Sequence, residues 1–250
     1  MIYRKMSNDK ISVIIPSYNR FNFLINAVES VKAQTYKNIE IIIVNDGSSQ
    51  SQYYKQNFGK SIKIIHIDRK ETPNWGGSRP AVRNYGIREA SGKYIAFLDD
   101  DDIWLPDKLD LQLNAIYENN VGFSCTEGYF GYGVYNPQES YKLYNSEHHF
   151  KKIKKNYKKT NYFQNNKFPK IWNYDFLINH NCVVLSSVLV EQNILEQLGG
   201  FRGLYRSQYF KHTADHDCWL GLLQLTNLVY IDSPQFYYDA DHGDGKKYEN

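Results

Sequence analysis

The sequence contains no long apolar run. Its longest strongly apolar stretch, residues 183–190, includes two serines and is far shorter than the roughly 20 residues that a membrane-spanning helix needs. The first ten residues are polar and carry no apolar signal-peptide core. We therefore expect a chain without a transmembrane segment.

Cysteines and net charge are also scarce. The three cysteines, Cys125, Cys182 and Cys218, are odd in number and lack Cys-x-x-Cys spacing, which argues against a disulfide framework and against a zinc site. Thirty basic residues against 27 acidic ones give a net charge of +3, too small by itself to indicate a nucleic-acid partner. We expect a reducing, cytoplasmic location and no nucleic-acid binding.

Apolar and aromatic residues are plentiful enough to build a core. Of 250 residues, 42% are hydrophobic and 16% are aromatic, a balance that excludes wholesale disorder. The length suits one large domain, so we expect a single domain over residues 1–250.

Short apolar runs alternate with helical periodicity in the first half of the chain. Strands are predicted at residues 11–15, 39–44, 62–67 and 94–98, the first one ended by Pro16. Helices are predicted between them, including a polar one over 50–58, and after the fourth strand. This alternation predicts an α/β fold with a mostly parallel central sheet flanked by helices.

The second half is less regular. Residues 128–176 contain 14 aromatic residues and no clear periodicity, which predicts loops and short elements. Order resumes with strands predicted at 181–190 and 228–231 and helices at 191–198 and 216–225.

Polar clusters follow three of the predicted strands. Tyr18 and Asn19 follow the first strand, Asp46 follows the second, and residues 99–102, all aspartate, follow the fourth. In such sheets the ligand site lies beyond the carboxyl ends of the strands. The sequence therefore predicts a site at this edge.

The four consecutive aspartates favour a bound cation. Like charges about 4 Å apart repel by roughly 4 kcal/mol at an effective dielectric near 20, and Mg²⁺ or Mn²⁺ would relieve that repulsion with hard oxygen ligands. The alternative is a solvated acidic loop that caps the next helix, a role open to Asp102 and Asp107. Asp46 either forms a turn or accepts from a base such as uracil while Tyr18 stacks on it.

Several motifs resemble the family 2 glycosyltransferases of the GT-A fold, densely over residues 11–110 and more thinly over 181–242. They are Val13-Ile-Ile-Pro-Ser-Tyr-Asn-Arg20, Gln34-Thr-Tyr36, Ile42-Ile-Val-Asn-Asp-Gly-Ser48, Ala81-Val-Arg-Asn84, Gly92-Lys-Tyr-Ile-Ala-Phe-Leu-Asp-Asp-Asp-Asp102, Trp104-Leu-Pro106, Leu198-Gly-Gly-Phe201 and Asp215-His-Asp-Cys-Trp-Leu220. The resemblance implies inverting transfer of a sugar from a nucleoside-diphosphate sugar, usually a UDP-sugar, to an acceptor hydroxyl of a glycan, a protein or a lipid-linked molecule. Residues 11–110 would form the nucleotide-sugar and metal half, and residues 111–242 the acceptor and catalytic-base half.

The resemblance also implies roles for individual residues. Tyr18 would stack on uracil and Asp46 would bind its imide. The nucleotide and donor would be bound by Pro16, Tyr18, Asn19, Arg20, Asp46, Arg83, Asp99 and Asp100. Asp101, with His242, would hold Mn²⁺ or Mg²⁺ beneath the diphosphate.

Asp215 would be the general base, with Asp217 as the alternative. Two departures from the family pattern, Asn45 for an acid and Ala214 for a glutamate, leave open a catalytically degenerate sugar-nucleotide or carbohydrate-binding relative. If Asp215 is the N-cap of its helix, backbone N–H groups would engage its carboxylate.

Two features of the second half have alternative interpretations. The lysine-rich run 151–159 is either a solvated face or a contact for an acidic acceptor or an anionic membrane surface. The aromatic residues of 129–176 either shield a thin core or line the acceptor cleft.

Overall fold

A single mixed sheet forms the centre of the computed structural model, which describes residues 8–59, 61–68, 80–163, 166–202 and 213–241. Its strand order is β3-β2-β1-β4-β9-β6-β10-β5, with β7 beside β6 and β8 beside β10. The strands are β1 (Ile11–Ser17), β2 (Ile39–Asn45), β3 (Ile62–His66), β4 (Tyr94–Phe97), β5 (Ile103–Trp104), β6 (Phe123–Gly131), β7 (Lys142–Leu143), β8 (Ile171–Trp172), β9 (Leu189–Glu191) and β10 (Leu228–Asp239).

The helices connect these strands. They are α1 (Phe21–Lys32), α2 (Gln52–Lys55), α3 (Pro80–Glu89), α4 (Lys108–Asn119), α5 (Phe150–Asn156), α6 (Tyr174–Leu177), α7 (Gln192–Leu198) and α8 (Ala214–Leu222). A π-helical turn, Tyr144–His148, precedes α5, and a 3₁₀ turn, Leu185–Ser187, precedes β9. The predicted helix over 50–58 is only the single turn α2.

The four strands predicted in the first half are confirmed and run parallel in the order β3-β2-β1-β4. β1 continues through Pro16 to Ser17, beyond its predicted end. Pairing with β4 stops at Ile14, whose carbonyl accepts from the N–H of Leu98. Because alternate residues face the same neighbour, Pro16 faces the side on which β1 has no further partner strand.

The second half of the sheet departs from the prediction. β6 is a nine-residue strand next to β10, where the sequence indicated loops after residue 127. Its segment lacks a β-branched run, and Glu127 and Gly128 interrupt it. The strand predicted at 181–190 is correct only from Leu189 onward, and the last strand is eight residues longer than the four predicted. β9 runs antiparallel to β4 and β6, so this half is mixed.

Two hydrophobic clusters cover the two faces of the sheet. Ile14 belongs to one cluster, whereas Val13 and Ile15 belong to the other, as expected for a strand that is buried on both faces. Aromatic residues of the irregular segment, including Tyr157, Trp172 and Phe176, are fully buried in the first cluster. These rings therefore build core.

The described helices and cysteines give two further observations. None of the described helices combines the length and the apolar character that a membrane crossing requires. Cys125, Cys182 and Cys218 are all buried and unpaired.

Candidate functional site

The turns that follow β1 and β2 are locked together at the carboxyl edge of the sheet. The Asn19 side-chain oxygen accepts from the N–H of Ser49 at 2.7 Å, and the N–H of Asn19 donates to Ser48 Oγ at 2.9 Å. Asn19 has φ 52°, a left-handed conformation that Asn tolerates. The backbone N–H of Asp46 donates to the Ser17 carbonyl at 3.0 Å. The edge thus brings the half-buried Tyr18 and the buried Asp46 into one region, as predicted.

The acidic run after β4 joins the same edge. Asp100 Oδ2 accepts a 2.6 Å hydrogen bond from Ser17 Oγ, and its Oδ1 lies 3.1 Å from Arg20 Nη1. The same Arg20 nitrogen lies 2.7 Å from Asp101 Oδ2. Burial and the adjacent Asp101 raise the pKa of Asp100 to about 7, against the lowering effect of the Arg20 guanidinium.

Asp99, the first residue of the acidic run, forms an ion pair with Arg83 of α3. Arg83 Nη2 lies 2.7 Å from Asp99 Oδ1, and the buried Nε of Arg83 has no hydrogen-bond partner within the described ranges. The next residue, Asn84, exchanges two hydrogen bonds with the backbone of Phe201, at 2.8 and 2.9 Å. This pair anchors α3 to the segment after α7 and fixes the position of Arg83.

Asp102 has a structural task that the sequence did not indicate. Its side chain is buried, accepts from Ser186 Oγ at 2.5 Å and accepts from the N–H of Asp239 at 3.1 Å. Burial and the neighbouring carboxylates raise its pKa well above the usual range. Asp102 therefore joins the ends of β4 and β10 and does not cap α4. Asp107 occupies the N-cap position of α4 without a side-chain capping bond.

The donor set fits a divalent cation that is shared with a ligand. Two carboxylate oxygens, from Asp100 and Asp101, converge on the single Arg20 nitrogen. Mg²⁺-type sites typically use one or two carboxylates and complete their shell with phosphate oxygens and water. Among the described residues no cluster of three or more His, Cys, Asp or Glu side chains could hold an ion. His242, predicted as a further ligand, lies outside the described residues.

The two candidate bases lie in the first turn of α8 and differ in their partners. Thr213 is the N-cap of α8, so the condition under which an N-cap role would engage the Asp215 carboxylate is not met. Among the described residues, Asp215 Oδ2 accepts one hydrogen bond, from Asn181 Nδ2 at 3.1 Å. Asp217 forms a two-pronged ion pair with Arg202, with both N–O distances 2.8 Å. The guanidinium fork occupies both carboxylate oxygens of Asp217, so Asp215 is the less engaged of the two carboxylates.

Tyr144 lies near both Asp102 and the candidate base Asp215. Burial raises the pKa of Tyr144, and the nearby carboxylates of Asp102 and Asp215 raise it further. The π-helical turn that carries Tyr144 is anchored by the fully buried Glu127 of β6, which accepts from the N–H groups of Asn145 and Ser146 at 3.0 Å. Asp102, at the end of the acidic run, and the candidate base Asp215 thus both lie near Tyr144.

A half-exposed aromatic cluster borders Tyr144. The rings of Phe130 and His148 stack at a centroid distance of 3.5 Å, and Phe130 also stacks on Tyr238 at 6.0 Å. Burial, together with the nearby His148, Lys152 and His180, lowers the pKa of His149 to about 4. These side chains place flat rings and polar atoms next to Tyr144.

Several residues of the site were missed by the sequence analysis. Ser17, Asn84 and Ser186 hold the acidic run or its neighbours, and Asn181 holds Asp215. Ser186 had a visible signal, because it is one of two serines inside the apolar run 183–190. Asn45, one of the two departures from the family pattern, is buried and bonds both His66 Nδ1 and the N–H of Ser48 at 2.9 Å.

Comparison with known proteins now bears on these observations. A sequence model described as "Glycosyl transferase family 2" matches residues 12–190. An uncharacterized glycosyltransferase of Rickettsia felis is 46% identical over 126 residues, which cover 50% of this chain and 20% of that protein. The UDP-Glc:alpha-D-GlcNAc-diphosphoundecaprenol beta-1,3-glucosyltransferase WfgD of Escherichia coli is 36% identical over 120 residues, 47% of this chain and 45% of that one. The chain thus spans a fifth to less than half of these relatives.

Two solved structures share the fold. S. aureus TarS 1-349 in complex with UDP-GlcNAc superposes with a TM-score of 0.61 at 16% identity, covering 94% of this chain and 59% of that one. The mannosyltransferase PcManGT from Pyrobaculum calidifontis, in complex with GDP-Man and Mn²⁺, gives 0.61 at 13% identity, covering 94% and 58%. With the family match, this likeness confirms the predicted GT-A fold.

Proposed function

This chain belongs to glycosyl transferase family 2, and from that premise we propose that it transfers a sugar from a nucleoside-diphosphate sugar to an acceptor hydroxyl. The observation that carries the proposal is the meeting, at one edge of the sheet, of the turn with Tyr18 and Asp46 and the acidic run. Asp215 of α8 lies near Tyr144, as Asp102 of the acidic run does. A transfer of this kind requires a site that binds the donor, a charge that stabilises the leaving diphosphate, and a base that accepts the proton of the acceptor hydroxyl.

The donor side suits a uridine nucleotide. In the proposal, Tyr18 stacks on the base and Asp46 accepts from its imide N–H. Pro16, Asn19 and Arg20 shape the adjoining turn, while Arg83, Asp99 and Asp100 meet the ribose, the diphosphate and the donor sugar. The E. coli relative is named for UDP-Glc, and TarS was solved with UDP-GlcNAc, which favours a UDP-sugar.

A divalent cation completes the proposed donor site. Asp101, with Asp100, would hold Mn²⁺ or Mg²⁺, whose charge stabilises the departing diphosphate. Arg83 supplies a further positive charge on the same side, because its guanidinium contacts Asp99 and its Nε is buried without a described partner.

Asp215 acts as the general base in this proposal. A single displacement at the anomeric carbon inverts configuration and needs one group to accept the proton of the acceptor hydroxyl. Asp215 has only a neutral amide as its described hydrogen-bond donor, so its other carboxylate oxygen is open to an approaching acceptor hydroxyl.

The acceptor side carries a strong positive charge. Residues 142–170 contain nine lysines and one glutamate, and all six lysines of the run 151–159 are exposed. In the described part of the chain none of those six forms an ion pair. The E. coli relative is named for a diphosphoundecaprenol acceptor. We therefore propose a lipid-linked acceptor and peripheral contact with an anionic membrane.

The decisive experiment combines ligand binding with two matched variants. UDP with Mn²⁺ should raise the melting temperature more than UDP, Mn²⁺ or ADP with Mn²⁺. Asp215→Asn should abolish hydrolysis or transfer of UDP-sugars and leave UDP affinity unchanged within about two-fold, whereas Asp217→Asn should keep activity.

Each other outcome corrects a defined part of the proposal. Loss of activity in Asp217→Asn alone would move the base to Asp217. UDP binding without turnover of any UDP-sugar would identify a degenerate, sugar-nucleotide-binding relative. Absence of nucleotide binding would refute the proposed donor site.

A further inference from the structure

Arg20 occupies the space between the two carboxylates that are proposed to bind the cation. Its Nη1 lies 3.1 Å from Asp100 Oδ1 and 2.7 Å from Asp101 Oδ2, and all three side chains are about nine-tenths buried. The backbone of Arg20 is itself held, because its N–H donates to Tyr53 Oη at 3.0 Å. This guanidinium is therefore a built-in positive charge at the acidic pair.

A divalent cation held by these two carboxylates would need the oxygens that the guanidinium already contacts. Mg²⁺ binds carboxylate oxygens at short range, about 2.0–2.1 Å, so the ion and the guanidinium would compete for the same oxygens. The two positive charges would also repel strongly in a buried site, where the effective dielectric is low. The carboxylates can serve one cation or the other.

We propose that Arg20 competes with the divalent cation for Asp100 and Asp101, so that the protein binds the metal weakly until a nucleotide diphosphate offers the guanidinium another anion. The inference rests on the proposed donor site and adds a role for Arg20 as a positioning residue. The inference predicts that the protein binds the metal tightly only when the nucleotide diphosphate is bound as well.

A purely structural role for Arg20 makes a different prediction. If the guanidinium only neutralises the acidic run to stabilise the fold, its removal lowers stability and leaves the carboxylates repelling one another without a gain in specific metal binding. If it competes, its removal must tighten the binding of metal in the absence of nucleotide. Metal affinity without nucleotide therefore separates the two roles.

The test is a titration of Mn²⁺ followed by electron paramagnetic resonance, without nucleotide, on the wild-type protein, Arg20→Gln and Arg20→Lys. We expect Arg20→Gln to bind one Mn²⁺ about ten-fold or more tightly than the wild type, and Arg20→Lys to remain closer to the wild type. Arg88→Gln is the matched control, because it removes an exposed arginine from α3 and should leave the Mn²⁺ affinity unchanged. Circular dichroism checks that each variant is folded.

A second arm tests the guanidinium group itself, and Arg20→Lys, which keeps a positive charge at the acidic pair, carries the comparison with the wild type if Arg20→Gln does not fold. Methylguanidinium added to Arg20→Ala should weaken Mn²⁺ binding, whereas sodium chloride at the same ionic strength should have a smaller effect.

Equal Mn²⁺ affinity in the wild type and Arg20→Gln would overturn the inference. The inference would also be overturned if no variant bound Mn²⁺, with or without UDP, while UDP itself still bound. The donor site would then bind a nucleotide without a metal. Failure of the protein to bind UDP at all would instead refute the proposed function.

Discussion

Replacement of Glu127 by glutamine gives the sharpest test of how the site is built. Glu127 lies fully buried in β6, and its carboxylate accepts five hydrogen bonds. Oε1 accepts from the N–H groups of Gly128 and Asn145 at 3.0 Å. Oε2 accepts from the N–H and the hydroxyl of Ser146 at 3.0 and 2.7 Å and from the hydroxyl of Tyr230 at 2.9 Å.

The expected cost follows from these five donors. Glutamine keeps the shape but places an NH₂ group where one oxygen was. With the NH₂ at the Oε2 position, the two hydroxyls can rotate and accept, but the N–H of Ser146 then faces another donor. One hydrogen bond to a charged acceptor is lost, worth about 1.5–3 kcal/mol, and the others weaken. Because glutamine is neutral, the variant avoids the cost of burying a charge, which offsets part of this loss. We expect a net destabilisation of about 3 kcal/mol.

The assay is urea unfolding followed by circular dichroism, supported by melting temperatures. For a domain of this size, about 3 kcal/mol corresponds to a melting temperature roughly 6–12 °C lower. Glu147→Gln is the matched control: Glu147 is exposed, accepts one bond from the N–H of Leu143 at 2.9 Å, and should cost about 0.5 kcal/mol or less. A Glu127→Gln variant as stable as the control would refute the idea that this carboxylate anchors the turn that carries Tyr144.

Two further predictions concern the acceptor side of the site. In flotation with vesicles that contain phosphatidylglycerol, the double variant Lys154→Gln/Lys155→Gln should bind about 25-fold more weakly than the wild type, because each lysine near an anionic surface contributes about 1 kcal/mol. The control variant Lys37→Gln/Lys55→Gln should bind like the wild type. Equal losses of binding in both double variants would refute a specific membrane face. Burial and nearby cationic side chains lower the folded-state pKa of His149 to about 4, below the unfolded value near 6.5. The unfolded chain therefore binds a proton first as pH falls, and the stability that neutral His149 provides is full above pH 6.5 and is lost between pH 6.5 and 4. His149→Gln should flatten the fall of unfolding free energy in that window, and an unchanged slope in urea titrations would contradict the assignment.

Local sequence patterns were sufficient to predict a strand or helix where the residues of that segment favour it by themselves. The runs that became β1 to β4 are rich in β-branched or aromatic residues and end in turn residues, so their existence could be read directly. Their parallel pairing then placed Tyr18, Asp46 and the aspartates on one edge, because carboxyl ends of parallel strands share an edge. The convergence of these groups was therefore predictable without coordinates.

Local patterns failed where long-range contacts stabilise an unfavourable segment. β6 contains a buried glutamate and a glycine that lies against the ring of Phe236, neither of which favours a strand by itself. Glu127 is acceptable there only because five donors, four of them from distant segments or from the π-helical turn, surround it.

By itself the sequence determined the order of strands and helices, the family motifs and the edge at which the polar groups collect, because those properties depend on neighbours along the chain. Only the tertiary structure decided what each carboxylate does. Asp102 and Asp217 are engaged by Ser186 and Arg202, and Asp100 and Asp101 share Arg20. The availability of an acidic group depends on which donors and cations fold against it, and those partners come from segments up to 137 residues away.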